Sequence, residues 1–181
     1  MTLTSPVTVR ELHADELTGV YDIDMTETDD AIYRVDGQCL VLVPEAWTRR
    51  PRSRASWDAM VAGWRVALDD GGAAWGAFDA MTMVGVVVLR DRVRRDMAEL
   101  AALFVSRPYR RAGVARRLVV ELLDRARRSG ARRVYVSATP SRSAVGFYQS
   151  LGFRLADEPL PELFEREPED VHMVLSLGAV E

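Results

Sequence analysis

Hydrophobic residues follow two rhythms along this chain. Ala115, Leu118, Val119, Leu122, Leu123 and Ala126 recur at i, i+3, i+4, i+7, i+8 and i+11, the stripe of an amphipathic helix. Glu121–Arg125 and Asp124–Arg128 lie four residues apart on its polar side, and Ser129-Gly130 ends it. Ser56 predicts the N-cap of another helix, whose Trp57, Met60, Val61, Trp64 and Leu68 share a face and which stops at Gly71-Gly72. Ser141 to Leu151 predicts a short helix closed by Gly152, and Asp15 to Met25 carries Leu17, Val20, Tyr21 and Asp24 at helical spacing.

The second rhythm belongs to strands. Val7 to Arg10, Ala73 to Asp79, Met83 to Arg90, Glu99 to Ser106, Val134 to Ala138 and Val171 to Leu177 read as strands. Ala31 to Val43 reads as two more about an Asp36-Gly37 turn, a strong hairpin signal. Short polar turns join the three strands between Ala73 and Ser106, which makes them antiparallel neighbours. The Pro/Arg-rich stretch Trp47 to Arg54 reads as a surface loop. This order of elements places the chain in the α/β (α+β) class, a mixed sheet with helices packed on it. Its 181 residues fit one domain, 1–181, with the hairpin near 31–43 as an insertion.

Composition removes several kinds of chemistry. All 24 basic residues are arginine, so a lysine Schiff base, a lysine general base and a phosphate-loop lysine are ruled out. A net charge of −3 argues against nucleic-acid binding. The single Cys39 excludes an internal disulfide and a multi-cysteine zinc site, and no metal is expected. The longest apolar run, Met83 to Leu89, is too short to span a bilayer, and the N-terminus lacks the features of a secretory signal. The expectation is a soluble cytoplasmic protein without a membrane partner.

The informative segment runs from Leu103 to Leu118, where a strand enters a turn containing Gly113 and the turn opens into the amphipathic helix. Backbone N–H groups at a helix start lack internal partners and sit in positive potential, so a phosphate is favoured there. Small residues at Ala112, Gly113 and Ala115 let it approach, and Arg110 and Arg111 add cationic donors. There is no G-K-[ST] and no G-x-G-x-x-G, so neither the Walker loop nor the dinucleotide fingerprint is present.

The pattern that is present, R-x-x-G-x-A from Arg110, Gly113 and Ala115, resembles the Q/R-x-x-G-x-G/A acyl-CoA loop of the GNAT superfamily of N-acetyltransferases. About thirty residues downstream, Ala144 to Phe153 resembles the family's second signature, a helix with an aromatic-Tyr pair closed by L-G-F. The likeness extends from about Ala73 to Leu177 and leaves the hairpin outside the shared pattern. It implies a mostly antiparallel central sheet flanked by helices, and acetyl-CoA as co-substrate. It further implies that amides from Arg111 through Ala112, Gly113, Val114 and Ala115 hold the pyrophosphate. A backbone N–H at Phe104 or Val105 would then polarise the thioester carbonyl, and Tyr148 would protonate the departing thiolate. Ser141, at the head of the second signature helix, is counted with the cofactor-binding residues.

For the general base, the resemblance favours Glu99, with Asp24 and Glu27 as further carboxylates near the acceptor side. His172 reads as structural, His13 as a capping or surface residue, and Cys39 lies outside the matched motifs, which favours direct transfer. The implied reaction moves an acetyl group to a primary amine of a small molecule or peptide. A non-catalytic CoA-sensing module and, more weakly, a nucleotide-binding protein are the alternatives. The apolar hairpin offers either a cover for the acceptor site or the surface of a homodimer.

Overall fold

The computed structural model describes residues 7–178. Its strands are β1 (Thr8–Glu11), β2 (Glu27–Asp36), β3 (Cys39–Arg49), β4 (Ala73–Asp79), β5 (Thr82–Arg94), β6 (Met97–Val105), β7 (Arg133–Ala138), β8 (Arg154–Leu155) and β9 (Val171–Ser176). Its helices are α1 (Arg54–Asp69), α2 (Val114–Arg128), α3 (Arg142–Ser150) and α4 (Pro161–Arg166). Seven strands form one sheet in the order β1-β4-β5-β6-β7-β9-β8, and β2 and β3 pair separately. Among the described residues only β6 and β7 of the main sheet run parallel, so the sheet is mixed and mostly antiparallel.

Both faces of the central strands are covered. Ala74, Val86, Val88 and Ala102 pack with Trp57, Val61 and Trp64 of α1 and with Leu17 and Val20. Their neighbours Ala73, Trp75, Val87 and Leu89 pack with Leu118, Val119 and Leu122 of α2. Alternating residues thus face opposite layers, which is why Met83 to Leu89 is almost continuously apolar. Burying each large aliphatic side chain in this way contributes about 1.5–3 kcal/mol.

Two irregularities shape the region that matters below. Val88 pairs with Ala102 and Leu89 with Leu100, so Ala101 is the extra residue of a β-bulge on β6. The β6–β7 ladder covers only Met97 to Glu99 against Arg133 to Tyr135. Beyond Glu99 the two strands diverge, and among the described residues the far half of β6 has no strand partner on that side.

The structure corrects several local expectations. α1 is capped by Ser53, whose hydroxyl accepts from the Ser56 amide at 3.2 Å; a cap lies three residues before the amide it satisfies. Asp15 to Met25 contains a 3-10 helix over Glu16–Asp22, with Leu17 and Val20 buried. The hairpin is longer than 31–43, running from the Glu27↔Arg49 pair to Asp36↔Cys39, and its two-residue turn is Gly37-Gln38 with Gly37 at φ +61. Trp47 to Arg49 therefore belong to a strand, and the loop shrinks to Arg50–Ser53. Acidic residues concealed the start of β2, because Asp29 and Asp30 face Arg142 of α3 rather than a core. The same latch is reinforced by the Tyr33 amide, which donates to Pro140 O at 2.7 Å, and by fully buried Ile32.

Two predictions follow from this packing. A Cβ at Gly72 would strike the carbonyl oxygens of Leu89 and Ala67, neither of which can retreat without breaking the sheet or α1. Gly72→Ala should destabilise the fold by about 1–3 kcal/mol, read as a lowered urea midpoint. Arg142 holds the Asp29 carboxyl at about 2, below its ordinary 3.8, so that latch stabilises the folded state above pH 3.8 and is lost as pH falls toward 2. The stability gap between wild type and Asp29→Asn should be full at pH 5 and closed near pH 2; a gap that persists at pH 2 would refute the assignment.

Candidate active site

Strand β6 leaves the sheet through Ser106 and a 3-10 turn, Arg107–Tyr109, before the chain reverses into α2. The reversal needs two left-handed residues, Arg111 at φ +61 and Gly113 at φ +78. Arg111 thus occupies backbone space that glycine fills more easily. The consequence is a concave run of donors: among the described residues, none of the amides from Arg111 to Arg116 finds a protein acceptor. Such a nest at a helix N-terminus suits an anion. Arg110 lines the space in front of this nest and has a further part as a clamp. Its Nε donates to Val105 O at 3.1 Å and its guanidinium to Thr26 O at 3.0 Å, clamping the loop to the start of the hairpin.

In front of this nest lies a groove of about 440 Å³ lined by Leu103, Phe104, Val105, Arg111, Gly113, Val114, Ala115, Arg116, Ser143, Phe147 and Tyr148. One end is cationic and rich in amides; the other is apolar. That arrangement fits a pyrophosphate joined to an uncharged arm.

The direction of the β6 amides follows from the ladder. The Ser106 amide donates to Val84 O at 2.8 Å, so alternate residues back along β6 also face β5. Phe104 N–H is therefore turned to β5, while Leu103 and Val105 present their amides to the opening beside β7. The Val105 carbonyl, which accepts from Arg110, confirms that orientation. Of the two expected carbonyl-polarising donors, Val105 has the right direction and Phe104 does not. Phe104 instead contributes its ring, edge-on to Trp57 at 5.5 Å.

Across the opening stands α3, capped by Ser141, whose hydroxyl accepts from the Ala144 amide at 3.3 Å. Ser141 is fully buried and does not line the groove, so its predicted cofactor contact is replaced by a capping role; Ser143, hydrogen-bonded to Glu27, lines the groove instead. Ala112 lies in the turn without lining the groove. Tyr148 is 6% exposed, and its hydroxyl donates to no described residue. Burial pushes its pKa above the ordinary phenol range, with the nearby Arg49 charge opposing and Asp170 reinforcing that shift.

Tyr148 also lines a second cavity of about 890 Å³ on the other side of the opening, between α1, the hairpin and the loop before β9. Phe104, Leu103, Arg49, Ala144 and Tyr148 form the wall common to both spaces. Trp47, Met60 and Trp64 give the second cavity an apolar side, and Arg34, Arg52, Glu45, Glu169 and Asp170 a charged one. Arg49 bonds to the Thr139 hydroxyl, and burial lowers its pKa.

Glu99 is the clearest departure from expectation. It is 2% exposed, lines neither space, and binds Arg90 through one oxygen and Arg166, at 3.1 Å, through the other. A carboxylate held between two guanidinium groups behind the cavity wall is a structural link, poorly placed to take a proton. Asp24 is likewise engaged locally, accepting from the Thr26 amide and hydroxyl. His172 is buried between Tyr135 and the Glu167 carbonyl, and burial lowers its pKa. Arg49, Arg116, Ser143 and Asp170 were not singled out from sequence. Asp170 alone carries a signal in the sequence, as the end of the acidic stretch Asp157 to Asp170.

Comparison with known proteins agrees with this geometry. The acetyltransferase (GNAT) family matches residues 18–153. No curated protein sequence matches significantly. Among solved structures, nourseothricin acetyltransferase is similar with a TM-score of 0.74 at 18% identity, covering 96% of this chain and 100% of that one. The ribosomal-protein-S18-alanine N-acetyltransferase of Escherichia coli gives 0.64 at 18% identity, covering 97% of each chain. The yncA protein of Salmonella typhimurium, solved with acetyl-CoA, gives 0.63 at 18% identity, covering 98% of this chain and 97% of that one. With the family matched across most of its length, the chain belongs to the acetyltransferase (GNAT) family and is an acyltransferase.

Proposed function

We propose that the protein transfers an acetyl group from acetyl-CoA directly to a primary amine of a small molecule or peptide. One observation carries this reading: Tyr148, whose hydroxyl has no partner among the described residues, stands in the wall shared by the groove in front of the amide nest and a separate mixed apolar and charged cavity. A donor in the first space and an acceptor in the second would meet at that hydroxyl.

The residues divide the work. The amides from Arg111 to Arg116 hold the pyrophosphate, and the free edge of β6 pairs with the pantetheine arm. The Val105 amide faces the thioester carbonyl, a single preorganised donor of the kind worth about 2.7–4 kcal/mol. Tyr148, kept protonated by burial, supplies the proton to the leaving sulfur, and Arg49 steadies the phenolate that results.

Acetyl-CoA at 100 times its dissociation constant should stabilise the fold by about 2.7 kcal/mol. At this chain length that corresponds to a rise in Tm of about 5–10 °C, which ATP and NAD should not reproduce. Tyr148→Phe should keep that shift and slow thiol release about 10²–10⁴-fold. Retained binding with no transfer from the wild type to any amine would favour a CoA-sensing module instead. Arg111→Gly should raise the Tm of the free protein, since it relieves a left-handed side chain, while weakening acetyl-CoA binding about tenfold through loss of one charged contact. Affinity unchanged in that variant would remove the Arg111 side chain from the site.

A further inference from the structure

The second cavity contains one carboxyl that the fold leaves unengaged. Glu45 and Glu169 are held by Arg34 at 2.9 and 2.5 Å, and Glu167 lies 3.9 Å from Arg166. Asp170 stands at the end of the loop joining α4 to β9, and its amide donates to the Glu167 carbonyl at 3.2 Å. Its side chain makes no hydrogen bond or ion pair with any described residue, yet it lines the cavity together with Tyr148. Pairing with β7 fixes its position, because Val171, the next residue, is in register with Ala138.

We propose that Asp170 is the general base of the transfer, taking the proton of the acceptor's ammonium group beside the Tyr148 hydroxyl. This assignment rests on the acetyltransferase reading above. Proton accounting is complete with these two groups. The ammonium gives a proton to the Asp170 carboxylate, and the freed nitrogen forms a bond to the acetyl carbon. The carbon–sulfur bond breaks, and the thiolate takes the Tyr148 proton. The new amide nitrogen returns its surplus proton to the phenolate, and Asp170 releases its own to water.

The surroundings suit the role. Burial pushes Asp170 up to about 6; Glu167 and Glu169 on its own loop act in the same direction, and Arg49 of β3 opposes them. Arg34 of β2 and Arg166 of α4 reach the loop through their pairs with Glu169 and Glu167, and Tyr148 faces it from α3. A base of this strength is ionised at neutral pH yet binds a proton more readily than an ordinary aspartate. The acceptor class it selects is an amine that arrives protonated.

Two measurements test the proposal. In the free protein, carbon-13 aspartate spectra of wild type and Asp170→Asn identify the Asp170 carboxyl; titration near pH 6 supports the assignment, and titration near 4 overturns it. Thiol release from acetyl-CoA is then followed from pH 5 to 9.5 with nourseothricin, spermidine and an alanine-terminated peptide as probes. Wild type should show a break near pH 6 in kcat/KM. Asp170→Asn should lose it, fall about 100-fold or more at pH 7, and recover tenfold per pH unit as free amine accumulates. Its thermal shift with acetyl-CoA should stay unchanged, and Asp170→Glu should restore the break. An Asp170→Asn profile like the wild type's, with Tyr148→Phe still slow, would overturn the base and leave the acetyltransferase reading standing. A wild type that releases no thiol with any probe would overturn both.

Discussion

The parting of β6 from β7 is the constraint on which the rest of the molecule turns. Parallel pairing ends at Glu99 and Tyr135, just before the extra residue Ala101 swings β6 aside. Beyond the bulge β6 keeps β5 as partner and loses β7, so the amides of Leu103 and Val105 face an opening rather than a core. The opening separates two spaces, gives the Val105 amide an exit and leaves room for the Tyr148 ring. Glu99, tied to Arg90 and Arg166 at the fork, anchors the point where the strands separate. The carboxylate that the resemblance favoured as general base is thereby held between two guanidinium groups.

Much of the fold was legible because its signals are local. The α2 stripe, the Met83 to Leu89 run and the glycines at 113 and 152 each act within a few residues, and the observed elements follow them closely. The loop motif was legible for the same reason, since strand, turn and helix start are contiguous. Long-range pairing hid the remainder. The start of β2 is stabilised by Arg142, more than a hundred residues away, so its acidic sequence looks like solvent-facing loop. Ser53 and Ser56 both offered a cap, and geometry chose the earlier one.

Within the site, residue type was a better guide than residue role. Arg110, Arg111 and Tyr148 all lie where the motifs suggested, but Arg110 spends its guanidinium on two carbonyls and Arg111 contributes through an uncommon backbone conformation. Whether a carboxylate can accept a proton depends on its neighbours in space. Glu99 and Asp170 differ in this way: one is buried and held between two guanidinium groups, the other faces a cavity without a partner among the described residues. No periodicity in the chain distinguishes them.

The β2–β3 hairpin has a different significance. Among the described residues it shares no ladder with the main sheet, and it is fastened to the rest of the molecule by Arg142 on Asp29 and Asp30, by bonds from Ser143 to Glu27 and from Arg49 to Thr139, by the Tyr33 amide and by the buried Ile32. Its residues Arg34, Glu45 and Trp47 line the second cavity, Glu27 and Arg49 reach the groove, and the amide nest lies on the turn between β6 and α2. The walls peculiar to the second cavity and the backbone nest of the groove are thus carried on separate stretches of chain. Substitutions at Arg34, Glu45 or Trp47 can redraw the walls of the second cavity while the Arg111 to Arg116 nest stays intact, so that, on the acetyltransferase reading, a lineage of such proteins can diversify in what it modifies without relearning how to hold its donor.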